Sequence, residues 1–143
     1  MKSTSLFAFL CAVAVLMASP INVLAVEEEL APGFGACVDK AQTTADHIDC
    51  FGAAYKYWDK ILNNNYASAL KLCEDQESPE QCKKKLKNAQ LKWIQYNEAM
   101  LEAISALGSG GTADRLHIDY LSVQETKRQA LLLKSEFLEQ NAN

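Results

Sequence analysis

Histidine is almost missing from this sequence, with His47 and His117 the only two. A zinc centre or a histidine-based triad therefore has little to be built from. His47 and Cys50 have the spacing of two ligands on one helical face, but His117 falls on another helix. A disulfide cysteine beside an ordinary histidine is the expectation, with no metal. No serine stands in a recognisable arrangement with histidine and an acid, and Gly108-Ser109-Gly110-Gly111 lacks the strand-to-helix setting of a nucleophile elbow. Without a cluster of coupled titratable groups, neither catalysis nor a cofactor is expected. A basic excess is also lacking: 14 Lys and Arg stand against 18 Asp and Glu, for a formal charge of −4. Such a chain gains nothing from counterion release on nucleic acid or from anionic lipid. No segment alternates with period two, so no strand is expected.

What is present first is a leader. Lys2 precedes an apolar run from Leu6 to Ala18, too short to span a bilayer. Pro20 breaks that run, and Val23-Leu24-Ala25 ends in the small residue that signal peptidase reads. Residues 1–25 are expected to be a signal peptide cleaved near Ala25, leaving a periplasmic or secreted chain that starts at Val26. Phe9-Leu10 precede Cys11 in the middle of the apolar segment, which is not the context of an acylated cysteine. Cleavage removes one lysine, so the mature charge is −5 (13 basic against 18 acidic residues).

Cys37, Cys50, Cys73 and Cys82 remain, an even number in an exported chain, which favours disulfides. Three pairings are possible, and the helices select among them. Residues 26–43 carry Glu27-Glu28-Glu29, Pro32, Gly33 and Gly35 and read as an irregular lead-in. The helical domain is expected over 44–143. A first long helix begins after Thr43 and Thr44, with Asp46 completing a capping box, and carries the apolar stripe Phe51, Tyr55, Trp58, Leu62, Tyr66, Ala69 and Cys73. Ser78-Pro79-Glu80-Gln81 is a second helix start, with a capping serine and proline at the first helical position. Its stripe is Cys82, Leu86, Ala89, Trp93, Tyr96, Met100, Ala103 or Ile104, and Leu107, and Gly108 is placed to end it in a left-handed cap. Thr112 or Asp114 caps a third helix carrying Leu116, Tyr120, Val123, Ala130, Leu133 and Phe137.

Three helices of similar length joined by short loops predict an all-α, small antiparallel three-helix bundle. Cys73 and Cys82 then fall at one end of it and bridge across the 74–81 loop, which leaves Cys37 to pin the lead-in to Cys50. Asp59, Asn63, Gln90 and Thr126 are polar residues next to or within the stripes, read as a polar network inside the bundle, with a recognition patch at its rim as the second reading. Lys83-Lys84-Lys85 and Lys87 follow Glu74, Asp75, Glu77 and Glu80, a solvated and locally compensated face. Gly108, Ser109, Gly110, Gly111, Thr112, Asp114 and Arg115 form the glycine-rich turn, the best candidate for contact with a partner.

The order Cys37, Ala41-x-Thr43-Thr44, Cys50, Tyr55, Asp59-x-x-Leu62-Asn63-x-x-Tyr66, Ala89-Gln90-x-x-Trp93-x-x-Tyr96, Gly110-Gly111-Thr112 and Thr126 with Arg128 resembles the LprI-like lysozyme-inhibitor domain, from about Cys37 to Leu133. The resemblance implies a small exported helical protein that binds a protein partner, possible lysozyme inhibition included. It departs at Asn97 and Glu98, where the family has an arginine-aspartate pair, and at Arg128, which lies two residues after Thr126 instead of three. Leu101 and Leu121 stand where family cysteines bridge the second and third helices. The Cys37–Cys50 pair matches the family, and Cys73–Cys82 is this chain's own replacement for the bridge lost there. The implied mode is docking of an acidic protein on a basic lysozyme, with the 108–115 loop entering the substrate cleft. The competing expectation is a structural or adaptor protein of the envelope that binds another exported protein.

Overall fold

The computed structural model describes residues 29–140. The expected signal peptide and its cleavage point lie outside the described residues. Four α-helices follow one another: α1 (Phe34–Val38), α2 (Thr44–Leu72), α3 (Pro79–Leu107) and α4 (Thr112–Leu133). A 3-10 turn, Cys73–Asp75, extends α2, and α4 continues into a π-helical segment, Lys134–Glu139. There is no strand among the described residues. The all-α bundle is the architecture expected, and both disulfides pair as the helix placement required, Cys37 with Cys50 and Cys73 with Cys82, at Cα separations of 5.8 and 5.5 Å.

Local chemistry sets the start of α2. The Thr43 hydroxyl accepts from the Asp46 N–H at 3.2 Å, and the Asp46 carboxylate accepts from the N–H groups of Thr43 at 2.8 Å and Gln42 at 3.0 Å. Those donors hold the Asp46 carboxyl below the ordinary aspartate range, the Gln42 N–H contributing most. The expected serine cap of α3 does not form. Pro79 occupies the first helical position, but Ser78 has ψ 75°, against 161° at Thr43, and its hydroxyl makes no cap hydrogen bond.

α4 packs far more extensively on α2 than on α3. Ala54, Trp58, Leu62 and Ala69 of α2 meet Val123, Thr126, Ala130 and Leu133 of α4, and the alanines let the two backbones approach closely. Asn65 ties the pair by donating to the Ala130 carbonyl at 2.9 Å. Residues of the lead-in belong to this core. Leu30 and Ala31 are buried, and the Leu30 carbonyl accepts from the Trp58 indole N–H at 2.7 Å. Lys127 of α4 lies 5.3 Å over the Trp58 ring and donates to the Glu29 carbonyl at 3.2 Å. Glu29 accepts from the Gly33 and Gly35 N–H groups as α1 begins, and Phe34 packs on Phe51 with ring centroids 5.0 Å apart.

α3 departs most from its expected stripe. Leu86 is its one buried residue, while Tyr96, Met100 and Leu107 are exposed. The face turned inward is Leu86, Gln90, Trp93, Asn97, Leu101 and Ile104. Gln90 and Asn97 are polar, so hydrophobic periodicity alone rotates the face toward Tyr96 and Met100. Gln90 belongs inside because its side-chain carbonyl accepts from Gln129 of α4 at 3.0 Å.

Candidate functional site

Two surface features contain residues that the sequence singled out: the α3–α4 loop and a groove between α2 and α3. In the loop, the Asp114 carboxylate accepts from the Ser109 hydroxyl at 2.9 Å and the Gly111 N–H at 3.3 Å. Asp114 thus serves as the anchor of the turn from the third position of α4, whose N-cap is Gly111. The cap of α3 at Gly108 is not left-handed as expected: its φ is −78°, and the left-handed residue is Gly110 at φ 78°. Gly108 is required for another reason. A Cβ there would sit 2.8 Å from Asp114 Cγ and 3.2 Å from Asp114 Cβ, atoms that the anchored carboxylate cannot readily withdraw. Gly108, Ser109, Gly110, Gly111, Thr112 and Arg115 are all exposed, and Asp114 is half-buried beneath them.

The Asp114 carboxyl lies below the ordinary aspartate value of 3.8, chiefly because of the Ser109 hydroxyl and then the Gly111 N–H. A pKa depressed in the folded state contributes stability that is present above the unfolded value and lost as pH falls through the folded one. Asp46 behaves alike at the start of α2. Amide exchange at Gly111 is therefore expected to accelerate as pH drops below about 4, beyond its intrinsic pH dependence. In Asp114→Asn the protection should be low already at pH 6 and show little further acid-linked loss. Equal acid loss in both proteins would count against the anchor.

The groove between α2 and α3 has a volume of about 400 Å³. Tyr55, Asp59, Leu62, Asn63 and Tyr66 line one side, and Lys87, Gln90, Leu91, Trp93 and Ile94 the other. Asp59 accepts from Asn63 at 3.1 Å. Burial pushes the Tyr55 hydroxyl pKa up, and the Asp59 charge adds to this. Of the four residues read as an internal network, three therefore gather at this groove, and they do not form one network. Asp59 and Asn63 bond to each other, Gln90 turns to Gln129, and Thr126 is buried in the α2–α4 interface, donating to the Ser122 carbonyl at 2.8 Å. Leu91 and Ile94 escaped the sequence reading, and Lys87 was read only as part of a solvated basic face. Their signal was an apolar pair three residues apart that lies off the stripe assigned to the second helix.

The family model described as "Lysozyme inhibitor LprI" matches residues 37–133. The chain belongs to the LprI lysozyme-inhibitor family. The matched span contains both disulfides, the groove and the complete 108–115 loop. Seven of the ten groove-lining residues, Tyr55, Asp59, Leu62, Asn63, Tyr66, Gln90 and Trp93, belong to the residue string on which the sequence resemblance was read. No curated protein and no solved structure matches the chain. No helix among the described residues is long and apolar enough to cross a membrane.

Proposed function

We propose that the protein is an exported, non-catalytic inhibitor that occludes lysozyme, with the Gly108–Arg115 loop as the element that enters the enzyme's cleft. The observation that carries this reading is the LprI match over residues 37–133, a span that includes the loop. The loop is exposed on both sides of its left-handed glycine and is ordered before binding by Asp114, so little entropy is lost on docking. The formal charge of −5 after removal of residues 1–25 (13 basic against 18 acidic residues) favours encounter with a cationic enzyme. The leader at residues 1–25 and the two disulfides support action in an oxidising compartment such as the periplasm.

The test is lysis of a cell-wall suspension by lysozyme in the presence of the mature protein. Lysis should slow in proportion to added protein, more at low than at high ionic strength. Gly108→Ala, which drives a methyl group into Asp114, should weaken inhibition by about 10-fold or more through loss of the ordered loop. Unchanged lysis at large molar excess of the unaltered protein would remove the inhibitory reading.

A further inference from the structure

Lys87, Leu91, Ile94, Glu98 and Glu102 follow one another along α3 at steps of four, three, four and four residues, which places them on one helical face. All five are exposed, Leu91 at 53% and Ile94 at 40%. Charge is divided along the same helix. Lys83, Lys84, Lys85, Lys87 and Lys92 occupy its first half with a single acidic residue, Glu80 in the first turn, whereas from Trp93 to Leu107 the only charged residues are Glu98 and Glu102. Lys87, Glu98 and Glu102 take no part in the ion pairs found among the described residues.

We infer that this face of α3 is a self-association surface, and that its occupant is α3 of a second copy running antiparallel. The charge division carries the inference. An antiparallel pair sets the basic half of each helix on the acidic half of the other, whereas a parallel pair opposes lysine to lysine. With the two-fold axis between Ile94 and Gln95, Lys87 lies opposite Glu102 of the second copy. Ile94 lies about 1.5 Å along the axis from its own counterpart, and Leu91 falls opposite Glu98 of the second copy, its methyl groups against the aliphatic stem of that side chain. The same surface then serves both partners, as a two-fold interface demands. Leu91 and Ile94 also form one wall of the groove, so the incoming helix lies along the groove mouth and shields Tyr55, which is 41% exposed. The span from Lys87 to Glu102 is about 22 Å of helix. A contact of that length falls at the small end of specific interfaces, so the dimer should be reversible.

Sedimentation velocity of the disulfide-intact mature protein, over micromolar to millimolar concentrations, provides the test. A monomer–dimer equilibrium is expected, weakened by salt. Lys87→Glu and Glu102→Lys should each weaken association by about 10-fold or more, because each places like charges together twice in the dimer. Combining the two swaps restores opposite charges and should recover most of the affinity. Leu91→Glu should leave a monomer with unchanged helical circular dichroism, since the position is exposed. A wild-type monomer at every concentration would overturn the inference, as would single reversals without effect or a double swap that does not recover. If the wild type stays monomeric and Leu91→Glu abolishes lysozyme inhibition, the face belongs to the enzyme instead.

Discussion

Trp58→Ala is expected to destabilise the domain by about 3–5 kcal/mol, measured by denaturant unfolding with both disulfides intact. The cost has three sources. A large side chain, 8% exposed, leaves a cavity at the α2–α4 interface. The Leu30 carbonyl loses the indole N–H that satisfies it in a buried setting, and Lys127 loses the ring beneath its ammonium group. Trp58→Phe separates these effects, because it retains most of the volume while removing the N–H. It should cost about 1–3 kcal/mol, the penalty of an unsatisfied buried acceptor plus a small void. Hydrogen exchange should then show residues 29–38 opening first in both variants. A loss below about 1 kcal/mol in Trp58→Ala would mean that the lead-in does not depend on this contact, contrary to its hydrogen bond and burial.

The docking of the lead-in also marks where the sequence ceased to be readable. Leu30-Ala31 is a two-residue apolar pair between three glutamates and a proline, and no periodicity distinguishes it from linker. Its place is set by a hydrogen bond to a residue 28 positions away, a link that local pattern does not encode. The long helices were readable because they depend on local rules. Thr43 with Asp46 makes the expected capping box, and the stripe through Trp58, Leu62 and Ala69 faces the core. The failures arise where tertiary contact overrides a local signal. Ser78 carries a capping sequence but not the backbone angle a cap needs, in a segment closed by the Cys73–Cys82 bridge. Gly108 has the composition of a left-handed cap, yet it is needed for the space beside Asp114. The inward polar residues of α3 could not be assigned from hydrophobicity, since only the approach of Gln129 accounts for Gln90. For the candidate site, the loop residues were legible as a glycine-rich turn. The groove was not, because it exists only once α2 and α3 are side by side.

That weak anchoring of α3 makes the second bridge the most informative covalent change. Replacing Cys73 and Cys82 together with alanine releases a closed loop whose ends are 9 residues apart, which in the chain-entropy model costs about 2.6 kcal/mol. Alanine avoids placing a hydroxyl at Cys73, which is 2% exposed. For a domain of this size the loss corresponds to a fall in Tm of about 10 °C. The effect should not be spread evenly. α2 and α4 hold each other through a shared buried core, whereas α3 contributes one buried residue, Leu86, with Cys82 and Trp93 half-buried against it, and is tied further by the Gln90–Gln129 bond, the Lys83–Glu74 ion pair and the bridge itself. Without the bridge, amides of α3 should exchange through a local opening well below the global unfolding free energy, while α2 and α4 keep the protection of the reduced global stability. The Cys37–Cys50 counterpart, replaced the same way, should instead release α1 and leave α3 protected. Uniform loss of protection over all helices in the Cys73→Ala/Cys82→Ala variant would show that α3 is held by packing and not by the bridge. The expected gradient, with α3 opening alone, follows from a helix that has one buried side chain and one covalent tether.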